Sequence, residues 1–249
     1  MGAAAARLLA PAGPLLLADR NEERLADIAR DLGGEVTTIG CDVTERADVD
    51  ALVKATGDLG GLVLTAGLSP SMAPGRPIYE VNLLGTDRVI RSFESALAPG
   101  SAAVCFASMA AHMTPDVEAI DRVLDDPPSP TFFEDLAAAG IDVDDPATAY
   151  GLSKRGVMRL VRRHAAAWGA HGARLTSLSP GIIDTEMGRL EASNQPVMAD
   201  MVKMSALARE AQPEELAAVA VFLVSGTASF ITGTDILVDG GALASMGLS

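Results

Sequence analysis

Short apolar runs alternate with helically spaced stretches along most of this chain, and that rhythm leaves few folds open to it. Pro14–Ala18 reads as a brief buried strand ending at Asp19. Glu22–Leu32 follows with apolar residues at Leu25, Ile28, Ala29 and Leu32, stopped by Gly33-Gly34. The alternation continues through a strand at Glu35–Ile39, a helix at Ala47–Thr56 with Thr44 as its candidate cap, and a strand at Leu62–Leu64. One longer helix is expected over roughly Pro77–Leu97, then a strand at Ala102–Ala107, a helix at Thr148–Gly169 and a strand at Arg174–Leu178. Pro213–Val224 and Asp235–Val238 give the last helix and strand. Strands and helices in this order form βαβ crossovers. The expected fold class is α/β, a doubly wound, Rossmann-type parallel sheet between helices, three layers in a single domain.

In such sheets ligands gather beyond the carboxyl ends of the strands. Asp19, Asp42, Ala66-Gly67, Ser108 and Pro180-Gly181 each follow a predicted strand at that end. The next helix carries Tyr150 and Lys154, four residues apart and so on one face. An ammonium beside a phenol favours the phenolate, and bringing a phenol from pKa about 10 to about 7 takes roughly 4 kcal/mol. Tyr150 then suits proton exchange with a hydroxyl while a hydride moves to or from a nicotinamide. Ser108 is the second donor to the substrate oxygen. Asn82, polar among apolar helix neighbours, needs a partner: a backbone group, or a water linked to Lys154.

Asp19 is placed to accept the ribose hydroxyls of an adenosine and to repel a 2′-phosphate, which favours NAD over NADP. Arg20 beside it pulls the other way. Asp42 and Val43 suit the adenine pocket, although Asp42 serves equally well as a helix cap or loop residue.

With these residues placed, the chain closely resembles the short-chain dehydrogenase/reductase family over nearly its whole length. The likeness rests on Asp19, Cys41-Asp42-Val43, Thr65-Ala66-Gly67, Val81-Asn82-Leu83, Ser108, Tyr150-Gly151-Leu152-Ser153-Lys154, Ser179–Thr185 and Val238-Asp239-Gly240-Gly241. It implies a catalytic tetrad of Asn82, Ser108, Tyr150 and Lys154, with Ile183 and Thr185 flanking the nicotinamide carboxamide and pyrophosphate. The Ala107–His112 segment and the long insertion after it resemble the branch containing 3-alpha-hydroxysteroid dehydrogenase/carbonyl reductases. The resemblance also implies a homodimer or homotetramer, with a dimer preferred because the insertion lies close to the Tyr150 helix. The expected activity is NAD(P)-dependent interconversion of an apolar, possibly steroid-like, secondary alcohol and its ketone.

One departure stands out. Family members place a strand and a Thr-Gly-x-x-x-Gly-x-Gly loop before their first helix, whereas here Gly2 matches only the last glycine and Ala3–Ala10 the helix. The absent strand belongs at the centre of the sheet, so its former neighbours must either pair directly or leave a break. Fewer amide donors would face a pyrophosphate, so cofactor binding is expected to be weak or absent. A start recorded downstream of the natural one, a degraded relative and a rearranged but active one all account for this. The alternative function is a catalytically impaired or non-catalytic subunit of an oligomer.

The remaining features narrow the class. The 249 residues carry a formal charge of −14, which disfavours nucleic acid and anionic membrane surfaces as partners. The basic run Arg159–His164 is expected on the solvated side of its helix. Cys41 and Cys105 read as buried free thiols in a reducing compartment, hence a cytoplasmic protein. No segment has the unbroken apolar length of a membrane helix, and no metal-ligating set is assigned. Residues 115–148 hold ten Asp and Glu against Arg122 alone and read as a solvated excursion, or else a substrate mouth or dimer contact. The substrate loop is placed at about 182–210, where Met187, Leu190, Met198, Met201, Val202 and Met204 either line an adaptable pocket or simply pack.

Overall fold

The strands in the computed structural model, which describes residues 1–248, are all paired in parallel. In chain order the elements begin with α1 (Gly2–Leu9), β1 (Leu15–Asp19), α2 (Glu22–Leu32), β2 (Val36–Gly40), α3 (Arg46–Thr56) and β3 (Leu59–Leu64). A helical stack follows, with α4 (Gly75–Tyr79) and α5 (Thr86–Phe93) on either side of a π-helical turn at Glu80–Gly85. Beyond it come β4 (Leu97–Phe106), α6 (Met109–Met113), α7 (Glu118–Leu124), α8 (Phe132–Ala138) and α9 (Pro146–Ala170). The chain continues through β5 (Arg174–Pro180), α10 (Glu186–Asn194), α11 (Val197–Met204), α12 (Pro213–Val224), β6 (Asp235–Val238) and α13 (Ala242–Ser245).

The strands form two sheets, β1-β2 and β3-β4-β5-β6. Of the two outcomes open to strands lacking a central neighbour, the structure has the break. Consequently Leu15, Leu16 and Leu17, expected in a buried strand, are only half-buried, and Gly60 and Gly61 of β3 face solvent. Helix α1 touches both β1 and β3 and packs mainly on α12. One face of the larger sheet is covered by α9 and the α4–α5 stack, the other by α1 and α12. Cys41 and Cys105 are buried and unpaired.

The insertion is not the solvated excursion that its carboxylates and prolines predict. Ile120, Leu124, Phe132, Leu136 and Val143 are buried in the same core as Trp168 and Leu175. Phe132 and Phe133 stand edge-on to the buried Tyr79, with centroids 5.8 and 6.0 Å away. Three of the acidic residues, Asp116, Asp121 and Asp125, have fixed partners on α9. Arg155 Nε donates to Asp121 Oδ1 at 2.7 Å, Arg159 Nε donates to Asp125 Oδ1 at 2.7 Å, and Arg163 pairs with Asp125 at 3.4 Å. The basic face expected to be solvated is therefore half covered, with Arg155 holding the Asp121 carboxyl below the usual carboxylate range. Thr44 does not cap α3 either, because its hydroxyl donates to Asp42 Oδ1 at 2.7 Å.

Candidate active site

Helix α9 starts cleanly because Asp145 accepts the Thr148 amide at 2.8 Å and Pro146 occupies the first turn. It buries Leu152, Gly156, Val157, Leu160 and Val161 against the sheet, which turns Tyr150 and Lys154 toward the ends of β4 and β5. The Lys154 ammonium lies 5.9 Å from the centroid of the Tyr150 ring. It is 6% exposed and makes a single hydrogen bond, to the Phe106 carbonyl at 2.8 Å. Burial pushes its pKa down to about 8, so it is still largely protonated at neutral pH.

Ser108 follows β4 and caps α6, its hydroxyl accepting the Ala110 amide at 3.2 Å. Burial holds the Tyr150 phenol above its usual value, with the Ser108 hydroxyl favouring the phenolate and the negative charge of Glu191 disfavouring it. Asn82 sits in the π-helical turn. Its side chain accepts the Leu68 amide at 2.7 Å and donates to the Leu68 carbonyl at 2.9 Å. Its own carbonyl accepts the Thr86 hydroxyl at 2.8 Å. The backbone group anticipated as a partner for Asn82 is found, and Asn82 Nδ2 also donates to Ser153 Oγ at 3.3 Å. A π-turn re-aims a side chain out of helical register, and here it points Asn82 at the loop after β3.

Gly67 in that loop is tight for a side chain, since a Cβ would stand 3.2 Å from Asn82 Oδ1 and 3.3 Å from Lys154 Nζ, closer than ordinary contact. Four side chains and one bare backbone position thus converge. The residues present fit a dinucleotide on two observations. A buried ammonium with one acceptor has two N–H donors left for ribose hydroxyls, and the Gly67 backbone leaves space beside it. At the far side, α1 begins against β3, where a Cβ on Gly2 would lie 2.8 Å from Thr65 Oγ1.

The other expected binding residues fall into two groups. Pro180 ends β5 and Gly181 follows it, and Thr185 uses its hydroxyl to cap α10 through the Gly188 amide at 2.9 Å. Ile183 turns its side chain into the core with Phe106 and Leu216, leaving only its main chain for a ligand. Asp19 ends β1 of the separate β1-β2 sheet, with Arg20 just after it and Asp42 and Val43 just beyond β2. Asp19 accepts the Asn21 amide at 2.9 Å and is otherwise exposed, as is Arg20. Asp42 is held below its usual pKa by two hydrogen bonds from Thr44, with Arg20 and Arg88 adding positive charge. Ala66 is exposed. An exposed ion pair, Arg24 to Glu186 at 3.1 Å, links the helices that follow β1 and β5, so both strand ends open on one side.

The methionine-rich loop does not converge on Tyr150. Met201 and Val202 line a cavity of about 80 Å³ with Ile182, Leu207 and Val238, while Leu190 and Met204 are exposed. Two site features carried no sequence signal strong enough to single them out. His112 Nε2 lies 2.9 Å from Asp235 Oδ2, whose other oxygen accepts the Ser177 hydroxyl at 2.6 Å, tying α6 and hence Ser108 to β6. Glu191, on α10, is buried.

This geometry agrees with comparisons to known proteins. The family model described as enoyl-(acyl carrier protein) reductase matches residues 1–121 and 136–242. A short-chain dehydrogenase/reductase of Alternaria brassicicola is 34% identical over 255 residues, covering 98% of this chain and 92% of its own. The 3-alpha-hydroxysteroid dehydrogenase/carbonyl reductase of Comamonas testosteroni is 30% identical, covering 97% and 91%. A solved structure from Brucella melitensis, titled a short-chain dehydrogenase/reductase and glucose/ribitol dehydrogenase, is 26% identical with a TM-score of 0.78, covering 96% of this chain and 90% of that one. The chain belongs to the short-chain dehydrogenase/reductase family, whose members are oxidoreductases using NAD(P). Among the described residues, no helix is long and apolar enough to cross a membrane.

Proposed function

We propose that this chain interconverts a secondary alcohol and its ketone, with Tyr150 as the acid/base. The observation that carries the reading is the buried Lys154 ammonium, with donors to spare, 5.9 Å from the centroid of the Tyr150 ring. Nicotinamide dinucleotide, when bound, supplies the hydride acceptor or donor. Ser108 and Tyr150 hold the substrate oxygen, and Tyr150 takes its proton in oxidation or gives one in reduction. Lys154 favours the phenolate by its charge and binds ribose hydroxyls with its free N–H groups. Asn82 acts at one remove, fixing the Leu68 backbone and so the Gly67 surface. Gly67, Gly181, Thr185 and the Ile183 main chain line the nicotinamide half, and Asp19, Arg20, Asp42 and Val43 the adenosine half.

The exposed Asp19 carboxylate supports NAD over NADP. The preferred substrate is an uncharged apolar ketone or alcohol of cyclic or steroid-like type, supported by the activity named for the Comamonas testosteroni relative. A homodimer in the cytoplasm is the assembly and location that fit the reading. The test is a nicotinamide absorbance change with a panel of cyclic ketones, abolished in Tyr150→Phe. Turnover that survives this substitution sinks the mechanism.

The break between β1 and β3 supports a second reading, a non-catalytic oligomer subunit with little affinity for dinucleotide. The two part on one measurement. Saturating NAD raises the melting temperature in the first case and leaves it unmoved in the second.

A further inference from the structure

Helices α10 and α11 lie over residues 186–204, and one side chain is buried in the pair: Glu191, 8% exposed. Its Oε1 accepts the Ser71 amide at 2.7 Å and its Oε2 accepts the Gln195 side-chain amide at 2.7 Å. No cation pairs with it among the described residues. Arg189 on the same helix is bound to Asp184, and Arg24 to Glu186. Ser71 belongs to the loop whose Leu68 is held on both backbone groups by Asn82. That loop is therefore gripped from the sheet side by Asn82 and from the α10 side by Glu191. A glutamine would keep the Ser71 contact through its Oε1 and, with the Gln195 side-chain amide turned over so that its oxygen accepts, the second contact as well, without the cost of a buried charge, so the latch alone does not account for a carboxylate here.

We propose that Glu191 is a positioning and specificity residue, latching α10 onto the Leu68–Ser71 loop and making the closed site select uncharged substrates over anionic ones. This rests on the dehydrogenase reading above and deepens it. A buried, cation-free carboxylate repels a second anion through a medium that screens poorly. At separations of about 6 Å and an effective dielectric near 20, the discrimination is on the order of a hundredfold. The charged groups bearing on the Tyr150 phenol are Lys154 on its own helix and Glu191 on α10. Removing the negative one lets the phenol ionise at lower pH.

Glu191→Gln and Glu191→Ala separate latch from charge. The full chain is compared by hydrogen exchange over residues 68–71 and 186–204. It is also compared by the pH profile and by kcat and KM for cyclohexanone and its carboxylated analogue. E191A is expected to exchange about tenfold faster in both segments and E191Q to match the wild type. E191Q is expected to favour the anionic ketone about ten- to a hundredfold more than the wild type does, mainly in KM, with the alkaline limb of its reduction profile moved to lower pH. Unchanged exchange in E191A, or an unchanged neutral-to-anionic ratio in E191Q, overturns the proposal. If the wild type reduces neither ketone, the dehydrogenase reading and the selectivity built on it both fail. The exchange comparison then judges the latch by itself.

Discussion

Lys154 should make the cofactor-free protein less stable than a variant without it. Its ammonium is 6% exposed, with one carbonyl for company, and burial depresses its pKa from 10.5 to about 8. With each pH unit worth about 1.4 kcal/mol, that gap is a penalty on the order of 3 kcal/mol. The penalty is carried in full below about pH 8, where folded and unfolded chains are both protonated. As pH rises through 8 the folded chain releases the proton while the unfolded chain keeps it up to 10.5, so the penalty fades across that window. Lys154→Met keeps the length of the side chain and removes the charge. It also removes the donor from the Phe106 carbonyl, which costs about 1 kcal/mol. The net expectation at pH 7 is a gain of about 1–2 kcal/mol, or a few degrees in melting temperature for a chain of this size. Urea unfolding of both proteins at pH 7 and pH 10, without dinucleotide, reads the effect directly. The K154M advantage should shrink at the higher pH, while activity is lost at both. A K154M protein less stable than the wild type at pH 7, or a difference that ignores pH, refutes the account.

Two further substitutions test the supports of the site. Tyr79 is fully buried with its hydroxyl unpartnered among the described residues, so Tyr79→Phe should stabilise by about 1 kcal/mol. A higher urea midpoint at unchanged slope would show it. Asn82→Ala strips partners from both backbone groups of Leu68 and should cost about 2–4 kcal/mol. Urea unfolding measures that loss, and turnover should fall with it.

Where the sequence repeats a period it could be read. Glu22–Leu32 and Asp235–Val238 have the expected bounds because apolar spacing and flanking glycines fix them locally. Tyr150 and Lys154 meet because helix geometry alone dictates it. The π-turn at Asn82 has no such local signature. Its stability comes from Leu68, fourteen residues earlier in the chain, and the turn replaces part of what reads as one regular helix. The insertion misleads by composition. Ile120 and Leu124, and Phe132 and Leu136, are spaced four apart as buried helix faces are, but the surrounding carboxylates and prolines outweigh them. Those carboxylates are spaced to match α9, Asp121 and Asp125 lying opposite Arg155 and Arg159. A single chain does not announce pairing over that distance. Glu191 was hidden for the same reason, since its burial is created by a loop far away in sequence.

The two halves assigned to a dinucleotide lie on sheets that share no hydrogen-bonded ladder, so something else must fix their spacing. The exposed Arg24–Glu186 pair is a weak candidate, because such pairs contribute little. A firmer link runs from Arg88, whose guanidinium donates to the Val43 carbonyl at 2.5 Å. A bond from a charged donor to a half-buried carbonyl is worth about 1.5–3 kcal/mol. Val43 also packs against Gly85, where a Cβ would come within 2.7 Å of its Cγ2. Arg88 stands on α5, directly after the π-turn that aims Asn82 at Leu68. One continuous helical stack, Gly75–Phe93, therefore positions the Leu68 loop at its middle and Val43 a turn and a half later. In a sheet interrupted between β1 and β3, that stack carries the alignment that strand pairing would otherwise supply.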